Sequence, residues 1–194
     1  MAPAETAVPI STVVLADDET IARAKSGDPE AWRALYTAHA GRLVVWLRSL
    51  PTGDAGVAAE DLAAESWLTA ASRIADFAGS ADDFAGWLFG IARLHARNAG
   101  RRSRRRMTAP APTATLDLTA AAAPPAGARP ESDSWVSWLL SHLSPRERQV
   151  VACLDVVGLD IASTSQALGM TATAVRVAHH RALRRLRALG VALD

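Results

Sequence analysis

Residues 160–188 read DIASTSQALGMTATAVRVAHHRALRRLRA, and this pattern predicts two helices joined by a tight turn. Asp160 is placed to cap a short helix over 161–168, and Gly169 suits the left-handed position that ends it. Thr171 is then placed to cap a longer second helix. A short helix, a glycine turn and a longer helix with polar residues at its start form a helix-turn-helix, whose second helix typically enters a DNA major groove.

The second of these helices is basic on its predicted outward side. The chain has no acidic residue from Ile161 to Leu193, and five arginines and two histidines lie within that stretch. A helix face of one sign most often meets the phosphates of nucleic acid, although a solvated basic face in a plain helical bundle is the alternative. We expect the early outward residues to approach base edges and the later arginines to contact phosphates. The outward residues are Thr173, Arg176, Val177, His180, Arg181 and Arg184.

A second basic run ends the first half of the chain. Residues 1–96 hold thirteen acidic and seven basic residues, whereas 97–106 hold six arginines and no acid, so the net charge of +1 conceals a strong asymmetry. The run ends a predicted fourth helix for which Asp83 is the expected N-cap. Aromatic residues precede it, and arginine beside exposed aromatic rings is suited to unstacked single-stranded bases. A solvated charged face is the alternative, and at least one of Trp87 and Phe89 should be core.

The rest of the first half also predicts helices. A short helix should cover Asp18 to Ser26. Asp28 is placed as the N-cap of the next helix, with Pro29 in its first position. That helix has an apolar stripe at helical spacing, and a third should run from about Val57 to Asp76. The stripe comprises Trp32, Leu35, Tyr36, His39, Leu43, Trp46, Leu47 and Leu50.

An acidic patch on the third helix is predicted to be a docking face. Glu60, Asp61 and Glu65 share its polar side, without a nearby histidine or cysteine to complete a metal site. An exposed helix face offers no pocket that would shift a carboxyl pKa for catalysis. A basic protein partner is the better interpretation. We therefore predict no catalytic residue, no metal and no cofactor.

Composition divides the chain into two all-helical domains. Residues 1–16 should be a disordered tail, 17–106 the first domain, 107–133 a flexible Ala/Pro-rich linker and 134–190 the second domain. Within the second, Ser144 and Glu147 have the form of a capping box. Cys153 is the single cysteine and should be a buried small hydrophobe. The sequence shows neither a secretory signal nor an apolar run of about 18 residues, which predicts a cytoplasmic protein without membrane insertion.

The order of these motifs resembles the extracytoplasmic-function (group IV) sigma factors of the sigma-70 family. Residues 27–36 resemble the start of their region 2, 59–68 the helix that binds core polymerase, and 84–93 the helix that recognises the −10 element. Residues 143–148 and 181–186 resemble the two ends of region 4, which reads the −35 element.

The resemblance implies an alternative sigma factor that binds core RNA polymerase, at the β′ clamp and β flap, and directs initiation at promoter DNA. It implies an anti-sigma factor as a further partner. The implied polymerase-binding residues are Glu60, Asp61, Leu62, Glu65 and Trp67. Those for −10 DNA are Phe77, Asp82, Phe84, Trp87, Arg93, Arg97, Asn98 and Arg101. Those for −35 DNA are Thr171, Thr173, Arg176, Val177, His180, Arg181 and Arg184.

The chain departs from the family pattern in places, and two other classes stay open. Ala64 stands where the family usually has glutamine. In region 4, Ala178 stands where arginine is common, and Thr164 and Ser165 replace a more apolar pair, so the −35 sequence does not transfer from a relative. A LuxR-type transcriptional activator would fit residues 143–189 almost as well, although its receiver domain would show alternating strands and helices in the first half. An RNA-binding protein that uses the arginine run would bind without polymerase.

Overall fold

The computed structural model describes residues 17–50, 58–107 and 138–190, and within these ranges every regular element is helical. The tail predicted for 1–16 and nearly all of the linker predicted for 107–133 lie outside the described residues. Four helices form the first half: α1 (Asp18–Lys25), α2 (Pro29–Ser49), α3 (Ala59–Arg73) with a 3₁₀ turn (Ile74–Asp76), and α4 (Ala81–Met107).

The described part of the second half contains three further helices. A helical turn at 138–141 leads to α5 (Pro145–Val151), whose last turn continues as a π-turn (Ala152–Val156). The helix-turn-helix follows as α6 (Ile161–Leu168) and α7 (Ala172–Ala188). In this turn the Val157 amide donates to the Ala152 carbonyl, one residue beyond the α-helical partner, at 3.1 Å.

Local capping explains where most helices begin. The Asp28 carboxylate accepts from the Glu30 amide at 2.8 Å, with Pro29 in the first helical position. Ser144 and Glu147 form the predicted capping box, in which the Ser144 amide donates to the Glu147 carboxylate at 2.9 Å. Side chains placed within three residues of a helix start therefore fix these boundaries, as the sequence predicted.

The predicted start of α4 at Asp83 is wrong. The helix begins at Ala81, and Asp83 lies in its first turn. There the Asp83 carboxylate accepts from the Ser80 amide at 2.9 Å and from the Ser80 hydroxyl at 2.8 Å. These bonds hold the pKa of Asp83 below its usual range. Asp83 caps the helix by reaching backward, which is why an N-cap assignment placed the boundary too late.

The main apolar core is continuous between the two halves. Trp46, Phe84 and Phe89 are fully buried at its centre, and the same cluster extends into the second half through Cys153 and Leu168. Cys153 is buried as predicted, and burial raises the pKa of its thiol to about 12. A smaller cluster joins α5 to α7 and comprises Leu140, Leu143, Val151, Ala182 and Leu186. The two halves therefore pack on each other as well as within themselves.

Candidate nucleic-acid and polymerase interfaces

The α7 face, defined as Thr173, Arg176, Val177, His180, Arg181 and Arg184, is exposed along its whole length. Its position follows from the turn before it. The Asp160 carboxylate accepts from the Ser163 amide at 2.7 Å, and Gly169 ends α6 in the left-handed region at a φ of 59°. The Thr171 hydroxyl then accepts from the Ala174 amide at 3.2 Å, so all three predicted capping positions of the motif are confirmed.

The opposite side of α7 is held to the rest of the second half. Val175 is fully buried, and Leu183 is half-buried. His179 lies 2.8 Å from the Asp155 carboxylate, and Arg185 lies 3.7 Å from Glu147. Within the described part of the chain, none of the three arginines of the α7 face forms an ion pair, so their charge is available to an anionic partner.

The acidic face of α3 consists of Glu60, Asp61 and Glu65, all exposed. Arg48 of α2 pairs with Glu60, and this hydrogen bond holds the pKa of the Glu60 carboxyl below its usual range. His95 of α4 lies 3.2 Å from Glu65 and 2.9 Å from the Thr69 hydroxyl. No described residue forms an ion pair or hydrogen bond with the Asp61 carboxylate, which leaves it the most available of the three.

Two residues of the implied docking set lie elsewhere. Leu62 is 1% exposed and Trp67 is 9% exposed, because both turn toward the core from the opposite side of α3. They pack the helix against its neighbours, with the Trp67 ring 5.1 Å from that of Tyr36. Tyr36 itself is 56% exposed, although the apolar stripe had predicted it to be buried. Of the implied docking set, only the three carboxylates are therefore exposed.

The α4 stripe, defined as Asp82, Gly86, Arg93, Arg97 and Arg101, runs along one side of the long helix. Arg97 and Arg101 are exposed, as is the neighbouring Asn98. Arg93 is partly buried, and burial lowers the pKa of its guanidinium. The stripe borders a cleft of about 330 Å³ that reaches Gln149 of α5. The predicted arginines therefore share one face of α4, and that face is turned toward the second half.

The aromatic residues expected beside this stripe are mostly core. Phe77 is 4% exposed and Phe84 is fully buried, and their rings meet edge-on at 5.9 Å. Trp87 is partly buried and packs 4.9 Å from Phe77. Of these three described rings, Trp87 alone is thus partly open to solvent, whereas Phe77 and Phe84 stabilise the fold around it. The expectation of several exposed rings is corrected accordingly.

His39 is buried beneath α4, as expected of a packed histidine. Its ring lies 5.5 Å from that of Phe84, and no hydrogen-bond partner reaches its Nδ1 among the described residues. Burial, with a smaller contribution from the nearby Arg42, lowers the pKa of His39 to about 4. His39 is therefore neutral at physiological pH.

The buried neutral His39 predicts a loss of stability in mild acid. A histidine in the unfolded chain has a pKa near 6.5, so between pH 6.5 and 4 the unfolded chain binds more protons than the folded one. Stability is full above pH 6.5 and falls as pH decreases, by about 2 kcal/mol between pH 7.5 and 5. Urea unfolding followed by tryptophan fluorescence at both pH values should show that His39→Gln removes this increment. The exposed-site control His180→Gln should retain it.

Sequence reasoning missed two residues that join the halves. Arg42 of α2 donates to the carbonyls of Val157 and Gly158 at 2.8 and 3.0 Å. Gly86 lies where α6 approaches α4 most closely. The spacing of Gly86 and Gly90 on one helix face was a signal of close helix packing that could have been noticed. For Arg42, the sequence carries no comparable signal.

Neither a metal centre nor a membrane span emerges from the described ranges. No group of three histidine, cysteine, aspartate or glutamate residues is arranged there to hold a metal ion. Of the helices described, none combines the length and apolarity required to cross a membrane.

Two sequence families match the chain, one in each half. The family described as Sigma-70 region 2 matches residues 35–106, and Sigma-70, region 4 matches residues 139–188. The first match includes the acidic face and the α4 stripe, and the second includes the helix-turn-helix.

Curated relatives and a solved structure are similar over most of the chain. The ECF RNA polymerase sigma factor SigD of Mycobacterium tuberculosis is 31% identical over 173 residues, which cover 88% of this chain and 82% of SigD. The ECF RNA polymerase sigma factor ShbA of Streptomyces griseus is 34% identical over 191 residues, which cover 89% of this chain and 97% of ShbA. The structure of CnrH in complex with the cytosolic domain of CnrY matches with a TM-score of 0.64 at 24% identity. The match covers 90% of this chain and 96% of the solved chain. The last likeness concerns the fold alone.

Proposed function

The chain belongs to the extracytoplasmic-function sigma factors of RNA polymerase, and we propose how its surfaces divide the work of directing transcription initiation. The α7 face reads the −35 element, the α4 stripe engages the −10 element, and the acidic face binds core polymerase. The observation that carries this assignment is the pair of basic helices, one of which is the second helix of a capped helix-turn-helix. A regulatory DNA-binding subunit of this kind performs no chemical step itself.

The −35 assignment rests on the exposure and charge of the α7 face. Thr171 and Thr173 lie at the start of the helix, where side chains reach base edges in a major groove. Arg176, Arg181 and Arg184 lie further along and carry unpaired charge that suits phosphates. Val177 is 44% exposed and offers an apolar contact of the kind that a thymine methyl accepts.

The −10 assignment rests on the α4 stripe and the partly exposed Trp87. Arg97 and Arg101 lie one turn apart on the exposed part of the helix and suit a sugar-phosphate backbone. Asn98 beside them adds an amide that can donate and accept hydrogen bonds. Asp82, exposed at the start of α4, would lie close to the same DNA and disfavour a phosphate at that point.

Each segment of the chain is assigned to its own partner. We assign 17–106 to polymerase and −10 contacts, 107–133 to the connection, and 134–190 to −35 contacts. Asp61 is the central docking carboxylate, with the β′ clamp as its partner and the β flap as the partner of the second domain. CnrH, a structural neighbour, was solved with the cytosolic domain of CnrY. By analogy, we propose that an anti-sigma factor binds this chain. This binding would take place in the cytoplasm, where RNA polymerase is located.

Run-off transcription tests the proposed function directly. The full chain, mixed with bacterial core RNA polymerase and fragments of its own genome, should give transcripts whose starts share paired upstream elements. Core alone is the control and should give none of these starts. Duplex binding without any core-dependent transcript would contradict the proposal and favour a stand-alone activator of the LuxR type.

A further inference from the structure

A concave cleft, here called the arginine cleft, lies between α4 and α5. Its volume is about 330 Å³, at the lower end of the range for small-ligand sites. It is lined by Leu50, Arg93, Ala96, Arg97, Gly100, Arg101, Arg104 and Gln149. No aspartate or glutamate is found among the described residues of this lining, so the cleft concentrates positive charge within a partly enclosed space.

The arginines of the cleft follow one another along a single face of α4. Arg93, Arg97 and Arg101 are four residues apart, so that successive positions lie about 6 Å apart along the helix axis. Arg97 and Arg101 are exposed, and no described residue forms an ion pair with either of them. Their charges are therefore not compensated by a neighbouring carboxylate within the described part of the chain.

Arg93 is the most firmly anchored of these three arginines. Its guanidinium donates to the Leu168 carbonyl, which fixes the position of the charged group in the cleft. Its Nε is buried and has no hydrogen-bond partner among the described residues. Burial, and to a lesser degree the like charge of Arg97, lower the pKa of this guanidinium. An anion held between Arg93 and Arg97 would offset the repulsion between their charges.

The shape of the cleft favours a small and elongated anion. Gln149 of α5 is half-buried, and its amide can donate to a ligand from the side opposite α4. A DNA duplex does not fit so small a space, since its major groove alone is about 12 Å wide. A chain of phosphates is narrow, carries charge along its whole length and can accept from several guanidiniums in succession.

We propose that the arginine cleft binds a short polyphosphate, either free or as the phosphate chain of a nucleotide. Successive phosphates accept from Arg93, Arg97 and Arg101, while Gln149 donates from the other side. A single phosphate reaches fewer of these donors and binds more weakly. The same three arginines are assigned to −10 DNA in the proposed function, but binding of the anion does not depend on that assignment.

Isothermal titration calorimetry of the full chain with inorganic tripolyphosphate tests the site, in buffer without divalent cations at about 0.1 M salt. We expect saturable binding with a Kd of about 0.1 mM or lower. Orthophosphate should bind about 10-fold more weakly or worse, because it meets fewer arginines. ATP distinguishes the two sources of the chain. Affinity no higher than that of tripolyphosphate indicates free polyphosphate, whereas tighter binding indicates that the base or sugar also contacts the cleft.

The double variant Arg97→Gln with Arg101→Gln should bind tripolyphosphate about 10-fold more weakly or worse, because two charged donors are lost. The matched control is Arg181→Gln with Arg184→Gln, which removes the same charge from exposed positions of the α7 face. The control should keep its Kd within about twofold. Equal losses in the two double variants would show general attraction of anions and overturn the site. Absence of saturable binding to the unmodified chain would overturn it as well.

Gln149→Glu tests from α5 whether the anion lies inside the cleft. The new carboxylate would face the arginines and repel the phosphates, so that affinity should fall about 10-fold or more. Gln166→Glu is the control, since it adds the same charge at an exposed position of α6 outside the lining and should change the Kd by about twofold at most. Unchanged affinity of the Gln149→Glu protein would overturn the site. Because neither core polymerase nor DNA enters these titrations, their failure leaves the proposed function intact.

Discussion

Asp61→Arg is expected to abolish binding to core RNA polymerase. Asp61 is exposed at the centre of the acidic face, and no described residue competes for its carboxylate. Reversal replaces an attraction to a basic partner with a repulsion at the same position. We expect a loss of about 3 kcal/mol or more, roughly a 100-fold increase in Kd. A titration of labelled core polymerase with the purified chain measures this, and run-off transcription should fail in parallel.

The matched control for this change is Glu19→Arg. Glu19 is also an exposed acid in the first turn of a helix, so the change in net charge and in the helix dipole interaction is the same. It lies on α1, away from the acidic face, and should leave the Kd for core within about twofold. Unchanged affinity of the Asp61→Arg protein, with its helical content intact, would remove the docking role from this face.

Helix boundaries could be predicted from the sequence because their causes are local. Asp28-Pro29, the capping box at Ser144, and the turn at Gly169 each act within a few residues of the boundary that they set. Asp83 shows the limit of this reasoning, since an aspartate can cap from the N-cap position or reach back from the first turn. The spacing alone does not decide between the two.

Burial was harder to predict, because periodicity identifies a shared face but not what covers it. The aromatic residues near α4 had the composition of a surface for single-stranded bases, yet Phe77 and Phe84 are inside. Leu62 and Trp67 lie on α3 but on the side opposite its carboxylates. A helix with carboxylates on one side and apolar residues on the other is amphipathic, and only its exposed side can dock.

The contact between the two halves was not predicted at all. Arg42 and the carbonyls that it binds are 115 and 116 residues apart in sequence. Nothing in the sequence around Arg42 identifies so distant a partner. Gly86 and Gly90 are visible in the sequence as a pair one turn apart on α4. Such a pair indicates only that some helix packs closely against that face. The sequence thus revealed each surface separately, whereas the structure shows that α4 packs against α6.

Arg176→Ala combined with Arg181→Ala is expected to weaken promoter binding and to flatten its dependence on salt. Both side chains are exposed on the α7 face and form no ion pair within the described residues. Each lost phosphate contact should lower the slope of log K against log salt concentration by about one, so the double variant should lose about two. At about 0.1 M salt we expect a 10- to 100-fold weaker complex, measured with the polymerase-bound chain on promoter duplex.

The control removes the same charge from the first half of the chain. Arg33→Ala combined with Arg73→Ala lowers the net charge equally, at two exposed positions that belong to neither basic surface. That protein should retain the original slope. Salt screens the attraction between DNA and charges that lie more than about a Debye length from it, so arginines outside the contact contribute little. If both double variants lose the same slope, net charge rather than the α7 face explains the binding. If neither does, Arg176 and Arg181 do not contact phosphates.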